Sequence, residues 1–263
     1  MPIDLTPFQH GTLCFGNTWS VADESALALH IARVALGQDR HIQKILAGAS
    51  LAAPPTTSRA AAAAIELLTV PDGEDPWHRD GWIFQVLSWI AAYRASPNSI
   101  IRAPQMILAQ KGFDGLELLV DTPNGKIEGA VIFEDKATDK PRKTIQEKVW
   151  PEFAALESGQ SENVLVSEVL GLLATRPHID PDAAIEKVLW NQVRRYRISI
   201  TVGDAHASEK GRLRLFSGYD TIASGEAHRR RAETIYISNM RAWMQALAQQ
   251  AIIAVQVEVK KYV

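Results

Sequence analysis

The stretch GFDGLELLVDTPNGKIEGAVIFEDKATDK, residues 112–140, decides the fold that is predicted for this chain. Two runs rich in apolar and β-branched residues flank the segment 122–126, whose Thr-Pro-Asn-Gly-Lys sequence suits a short hairpin loop. Pro123 and Asn124 favour the two corners of a type I turn, and Gly125 can adopt the left-handed conformation that closes it. The stretch therefore predicts a β-hairpin.

The register of this hairpin brings charged side chains together at its open end. A three-residue loop pairs Thr122 with Lys126. Continued along the strands without a bulge, that pairing places Asp114 directly opposite Glu134. Residues two apart on a strand share a face, so Lys136 projects on the same side as both carboxylates.

Two carboxylates that face each other at about 5 Å between Cβ atoms repel each other unless a cation lies between them. Carboxylate oxygens suit Mg²⁺, which binds one or two protein carboxylates and keeps positions for water and phosphate. An adjacent lysine can orient or deprotonate the attacking water and offset charge in the transition state. The candidate catalytic residues are therefore Asp114, Glu134 and Lys136, and the candidate ligands of Mg²⁺ or Mn²⁺ are Asp114, Glu134 and the carbonyl of Asp135.

An aspartate followed, after a hairpin, by Glu-x-Lys resembles the pattern of the PD-(D/E)xK nuclease superfamily. Asp114 stands in the first position, 134–136 form the second motif, and the resemblance covers roughly residues 80–155. It implies a restriction-endonuclease-like core and Mg²⁺-dependent hydrolysis of DNA phosphodiester bonds. The alternative is a solvated edge hairpin, in which charges alternate with apolar residues. The apolar run at 130–133 instead indicates a central strand buried on both faces.

Two glutamines are candidate residues near the site. In the nuclease superfamily a helix ahead of the hairpin often contributes an acid, and in the helix predicted at 82–94 Gln85 stands at that place. It suits a metal-bound water or a phosphate, or else a packed amide. In the helix predicted at 144–156, Gln146 and Trp150 resemble the Q-x-x-x-Y variant, whose glutamine helps to position phosphate or metal.

Basic residues at two places are candidate contacts for DNA. The net charge of −2 means that any phosphate-binding surface must be local. Each charge run is otherwise explained as a solvated loop or sheet face. The candidate phosphate contacts are Lys140, Arg142 and Lys143 at the hairpin exit, and Arg229, Arg230 and Arg231 in the C-terminal part.

Length and composition are ordinary for a globular protein of one or two domains. The single cysteine, Cys14, excludes an internal disulfide and fits a reducing compartment. The sequence shows no basic-then-apolar signal segment and no apolar run of membrane-spanning length. A cytoplasmic location without membrane contact is therefore predicted.

The predicted class is α/β (α+β), in three sections. These are a mostly helical N-terminal extension (1–75), the nuclease core (76–160) and a C-terminal α+β elaboration (161–263) packed on the core. Alternation of polar and apolar residues predicts antiparallel C-terminal strands with one wet face. Helices are predicted at 23–36, 38–46, 58–68, 181–190 and 239–250, and strands at 100–110, 195–202, 212–215 and 253–260.

The motifs FDGLEL and FEDKAT, in a chain of 263 residues, also resemble the small nuclease subunits of bacterial anti-phage defence systems. The Hachiman nuclease subunit, which has a helicase partner, is the first such likeness, and CBASS effector nucleases are the second. The resemblance implies DNA cleavage that a partner restrains until infection. Two alternatives are a sequence-specific restriction endonuclease and a non-catalytic adaptor that uses the same fold and its basic faces for docking.

Overall fold

The computed structural model describes residues 1–106, 112–121, 125–174, 176–190 and 193–260. Its strands are β1 (Ile3–His10), β2 (Cys14–Val21), β3 (Ile100–Ile101), β4 (Gly115–Asp121), β5 (Lys126–Lys136), β6 (Arg194–Val202) and β7 (Arg230–Tyr236). Its α-helices are α1 (Glu24–Ala35), α2 (Asp39–Leu46), α3 (Ser58–Leu68), α4 (Trp77–Ala95), α5 (Pro141–Thr144), α6 (Trp150–Glu157), α7 (Glu162–Leu173), α8 (Pro181–Leu189), α9 (Asp204–Ala207), α10 (Glu209–Leu215), α11 (Tyr219–Ile222) and α12 (Met240–Lys260). A π-helical turn, Ile145–Val149, joins α5 to α6, and a 3₁₀ turn, Ala227–Arg229, precedes β7.

The described strands form one mixed sheet in the order β1-β2-β7-β6-β5-β4-β3. The four strands β2, β7, β6 and β5 run parallel, and antiparallel pairs lie at both edges. The predicted α/β class is therefore confirmed at the level of a mixed sheet covered by helices. All three sections of the chain contribute strands, and the section predicted as mostly helical supplies the edge strand β1 and its neighbour β2.

Helices cover both faces of the sheet, because its central strands are apolar on both sides. One core includes residues of α1, α3, α4 and α12, and the other includes residues of α6, α7, α8 and α11. The predicted N-terminal helices are confirmed, with Asp23 accepting from the Ala26 amide and Thr57 from the Ala60 amide as N-caps. No helix among the described residues has both the length and the apolar composition needed to cross a bilayer.

The predicted hairpin is confirmed as β4 and β5, with a register that changes along its length. Near the turn Lys126 pairs with Asp121, and its predicted partner Thr122 lies outside the described residues, as do Pro123 and Asn124. The register then shifts between Leu119 and Val120. This irregularity restores the predicted pairing at the other end, where Gly115 lies opposite Phe133.

The prediction of C-terminal strands at 212–215 and 253–260 is wrong, because both segments are helical. Residues 253–260 belong to the helix α12, whose buried positions follow a helical period rather than an alternation. Residues 212–215 belong to α10. Of the strand predicted at 100–110, the structure has Ile100–Ile101, and residues 107–111 lie outside the described part of the chain.

The strand predicted at 195–202 is confirmed as β6, but the predictions of a solvent-exposed face and of antiparallel pairing are wrong. β6 runs parallel to β5 and to β7, and it is largely buried on both faces. Its Arg197 has no exposed surface. Its Nη2 donates to the carbonyl of Ser88 at 3.2 Å, and its Nε lies 4.0 Å from Glu233, so the buried charge is partly compensated.

Gly125 closes the hairpin with a φ of +63°, in the left-handed region that favours glycine. Gly125→Val should lower the free energy of unfolding by about 1 kcal/mol or more, because a β-branched residue is strained there. Chemical denaturation measures the change. Gly171, exposed in α7 with open space around its Cα, is the matched control, and Gly171→Ala should raise stability by about 0.5–1 kcal/mol. Unchanged stability of Gly125→Val would contradict the observed turn.

Candidate active site

The open end of the hairpin brings Asp114, Glu134 and Lys136 together. Asp114 lies immediately before β4, while Glu134 and Lys136 are at the end of β5. The Lys136 ammonium lies between the two acids, with Nζ 2.8 Å from Oδ2 of Asp114 and 2.5 Å from Oε2 of Glu134. The three side chains that the sequence predicted to share one face therefore form one ion-pair cluster.

The carboxylate of Asp114 is held on both of its oxygens. Its Oδ1 accepts a hydrogen bond of 2.7 Å from Nε2 of Gln85 in α4, so that glutamine lies beside the cluster. Its Oδ2 accepts from the backbone amide of Asp135 at 2.9 Å and from Lys136. Asp114 thus has one orientation, set by the helix ahead of the hairpin and by the strand opposite.

Glu134 is the most buried acid of the cluster, with 3% of its surface exposed. Its Oε2 lies 2.5 Å from Nζ of Lys136, the ammonium that it shares with Asp114. Burial first, and then the neighbouring charge of Asp114, raise the pKa of Glu134 well above its ordinary value, and a hydrogen bond with Glu152 adds to the shift. These effects favour the protonated, neutral form of Glu134, and Lys136 opposes them.

The carboxylate of Asp135 contacts α4 on the face of β5 opposite to Glu134. Its Oδ1 accepts from Oγ of Ser88 in α4 at 2.6 Å. Burial raises its pKa to about 6, against a lowering by Arg197. Asp135 also lines the cavity that Asp114 and Lys136 line, and its main-chain carbonyl stays a predicted ligand.

A cavity of about 330 Å³ opens beside the cluster, and Glu134 is not among the described residues that line it. Asp114 and Lys136 are among its lining residues, with side-chain exposures of 18% and 21%. The sequence analysis missed much of the remaining wall, which is contributed by separate segments of the chain. These further lining residues include Trp77, His78, Lys148, Glu152 and Arg241.

Gln146 is exposed, and it is not among the described residues that line the cavity. The predicted helix there contains the π-helical turn Ile145–Val149, which changes the direction of successive side chains. Lys148 and Glu152 line the cavity instead, and Trp150 packs in the core. A basic and an acidic residue four apart on a helix were the available sequence signal.

The basic residues at the hairpin exit differ in their availability to a ligand. Arg142 is committed to the protein, because its Nη1 donates to the carbonyls of Leu215 and Ser217 at 2.8 and 2.9 Å. Lys140 and Lys143 are exposed. The prediction that Arg142 contacts phosphate is therefore corrected, whereas those for Lys140 and Lys143 stay predictions.

The arginines of the second predicted patch are buried, with exposures of 6%, 2% and 9% for Arg229, Arg230 and Arg231. Arg229 donates to Glu157, Arg230 donates to four backbone carbonyls, and Arg231 donates to Glu233. Their guanidinium groups connect β7 and the 3₁₀ turn before it to neighbouring segments of the chain. The prediction that this run grips DNA is therefore wrong for the folded protein, since the charges are already satisfied internally.

The described residues contain no group of three or more His, Cys, Asp or Glu side chains placed to hold a metal ion. Two carboxylates do converge, those of Asp114 and Glu134, and the ammonium of Lys136 lies between them. Mg²⁺ binds through one or two carboxylates and completes its octahedron with water or phosphate oxygens. The donor set is therefore small, but it fits a hydrated divalent ion.

The raised pKa of Asp135 predicts a pH-dependent stability. With a pKa near 6 in the folded state and 3.8 as its ordinary value, the folded protein binds the extra proton between about pH 4 and 6. Stability therefore falls as pH rises through that window, by at most about 3 kcal/mol for this group. Asp135→Asn should remove this loss, so its stability relative to the wild type should increase between pH 4 and 6.

Denaturant unfolding at several pH values, without divalent metal, measures this difference. Asp72→Asn, at an exposed position ahead of α4, controls for the loss of a carboxylate from the surface. A difference between Asp135→Asn and the wild type that stays constant from pH 4 to 6 would contradict the assignment.

Comparison with known proteins adds no family to this geometry. No protein-family model matches the chain, and no curated protein matches it. The chemistry proposed for the pocket therefore rests on its own residues.

Proposed function

We propose that this protein is a Mg²⁺-dependent nuclease that hydrolyses DNA phosphodiester bonds in the pocket beside Asp114, Glu134 and Lys136. The observation that supports this most strongly is the convergence of two carboxylates on one ammonium beside a solvent-open cavity, which Asp114 and Lys136 line. An ion-pair cluster that served stability alone would not need a cavity beside it. Perturbed ionisable groups in a cleft are typical of functional sites.

The cluster fits a divalent cation for electrostatic reasons. Glu134 is buried next to Asp114, and both burial and that neighbouring charge raise its pKa. A nearby cation would favour the ionised form of both acids. Asp114 and Glu134 would hold Mg²⁺ or Mn²⁺, with the carbonyl of Asp135 as a third candidate. The bound ion would supply a more acidic water and would offset charge on the phosphate.

Lys136 acts in this proposal as a positively charged hydrogen-bond donor. Burial lowers its pKa, but Glu134 and Asp114 outweigh burial and raise the pKa above its ordinary value. The ammonium therefore stays protonated at neutral pH. It can hold the attacking water or a phosphate oxygen, and it can offset the negative charge that develops during hydrolysis.

The residues around the cluster keep this geometry fixed. Gln85 and the amide of Asp135 each donate to Asp114, so the acid cannot rotate freely. Ser88 fixes the carboxylate of Asp135 on the other face. Such support allows reacting groups to be positioned before the substrate arrives, which contributes to the rate.

The order of these residues along the chain also supports a proposal about the fold of the core. A helix bearing Gln85, a hairpin bearing the acids and a helix bearing Lys148 follow one another and meet at one pocket. We infer a restriction-endonuclease-like core from this order. The likeness of FDGLEL and FEDKAT to anti-phage nucleases extends the proposal to a defence effector that is controlled by a partner such as a helicase.

Removing either acid should abolish metal-dependent cleavage. Asp114→Asn and Glu134→Gln preserve side-chain shape but remove the charge that holds the ion, so cleavage should fall by at least about 100-fold. Lys136→Ala should lower the rate similarly while keeping most of the metal affinity. Cleavage of labelled DNA with Mg²⁺ or Mn²⁺, and with EDTA as the metal-free reference, measures these losses.

Glu147→Gln, at an exposed position on the turn Ile145–Val149, is the matched control and should keep full activity. Metal-induced thermal stabilisation gives a second readout, since a ligand that binds the folded state raises the unfolding temperature. It should be present in the wild type and weak in Glu134→Gln. Full activity of a well-folded Glu134→Gln protein would overturn the nuclease proposal, and an absence of metal binding would favour the adaptor.

Lys148 should contact a backbone phosphate, because it is exposed and lines the cavity next to the cluster. Each lost phosphate contact lowers the slope of log K against log salt by roughly 0.7 on a single strand or 0.9 on a duplex. Lys148→Ala should show that reduction in binding titrations at several salt concentrations. Lys187→Ala, an exposed lysine of α8 away from this cavity, is the control. An equal reduction in both variants would refute the contact.

A further inference from the structure

An aromatic pair lies at the rim of the cavity, where α4 begins. The ring of Trp77 packs on that of His78, with centroids 3.8 Å apart and planes inclined by 31°. Both residues line the same cavity as Asp114 and Lys136. Trp77 nevertheless keeps 54% of its surface exposed. A large π surface therefore faces solvent beside the ion-pair cluster.

The core does not account for this exposure. Trp82, five residues further along α4, is 3% exposed, and its indole N–H donates to the carbonyl of Gln105 at 2.7 Å. Trp89 on the same helix is 2% exposed. Trp77 differs from both in its exposure. Its backbone amide donates to Asp75 at the start of the helix, so the helix start does not depend on the indole ring. Its indole is left as a surface group at the cavity.

A cationic group lies on the same rim. Lys148 lines the cavity from the segment after the hairpin, and it is exposed. Arg241 of α12 also lines the cavity, but its charge is paired with the buried carboxylate of Asp80, to which its Nη1 donates at 2.6 Å. The rim thus combines an aromatic face with positive charge, which are the two features that bind a nucleic-acid strand through its bases and its phosphates.

We propose that Trp77 and His78 form a stacking platform for an unpaired base, so that the substrate class of the pocket is single-stranded DNA. The proposal rests on the nuclease function proposed above. In a duplex, each base already stacks between its neighbours, so its face cannot lie on a protein ring unless the base is unpaired and displaced. A single strand offers its base faces freely.

The arrangement of the cavity lining also favours a single strand. Asp114 and Lys136 expose about a fifth of their side-chain surface, whereas Trp77, which lines the same cavity, is more than half exposed. The aromatic face and the candidate phosphate site are thus separate parts of one cavity lining. A flexible strand can place a base on the rim and a neighbouring phosphate inside the cavity.

The test is a binding measurement on the full chain in EDTA, so that no cleavage occurs. The probes are fluorescein-labelled oligothymidylate, its duplex with oligoadenylate, and an abasic strand of the same length. Trp77→Ala should raise the Kd for oligothymidylate roughly 10-fold, because one base–aromatic stack is lost. Trp77→Phe should retain most of the affinity. Trp190→Ala, which removes another exposed tryptophan outside this cavity, should change nothing.

The duplex and the abasic strand should bind Trp77→Ala and the wild type alike. Equal losses of affinity for the single strand and the duplex, or an abasic strand that binds the wild type as tightly as oligothymidylate, would contradict the stacking platform.

The metal-dependent cleavage assay distinguishes a failure of the stacking platform from a failure of the proposed nuclease function. Cleavage with no effect of Trp77→Ala on single-strand binding would reject the platform and keep the nuclease. A single-strand-specific effect without any cleavage would keep the platform and reject the nuclease.

Discussion

The ammonium of Lys136 is the contact on which the geometry of the site depends. It lies between Asp114 and Glu134, which belong to different strands of the hairpin and would otherwise repel each other. Losing one partner of a buried ion pair costs about 3–5 kcal/mol, because the remaining charge is left without compensation. The cluster therefore holds the start of β4 against the end of β5. A bound cation would have to share or replace this role of the lysine.

A second set of charges lies behind the cluster, on the opposite face of the sheet. Arg197 has no exposed surface, and its guanidinium lies 4.3 Å from the ring centroid of Phe133. It lowers the pKa of Asp135 against the larger effect of burial, and its Nε lies 4.0 Å from Glu233. The strand that carries the candidate ligands is thus neutralised from both faces. Cation–π contact and ion pairing together make a buried arginine tolerable at this position.

The sequence predicted the hairpin and the meeting of its three charged residues, because both follow from local turn chemistry and from the period of a strand. The predicted strand register is correct next to the site but wrong near the turn, where Lys126 pairs with Asp121. The register shift between Leu119 and Val120 accounts for this difference of one residue. A bulge of this kind leaves no clear mark in a single sequence. Gln85 was named because the resemblance to the nuclease superfamily implies a site residue on the helix ahead of the hairpin. Lys148 was missed, because a π-helical turn sets the direction of its side chain.

The elements that the sequence misplaced share one physical cause, which is that their partners are distant along the chain. Alternating residues at 253–260 suit a strand and a helix alike, and packing of α12 against α1 and α3 decides between them. The basic run at 229–231 suggested a solvent-exposed Arg231, but in the structure Glu117 of β4 and Glu233 of β7 pair with this arginine. The cavity is subject to the same limit. Its acids come from one hairpin, whereas its rim is assembled from α4, α12 and the segment after the hairpin. Local sequence can therefore indicate the chemistry of the site, but the choice of substrate depends on a rim that exists only after those distant segments have packed together.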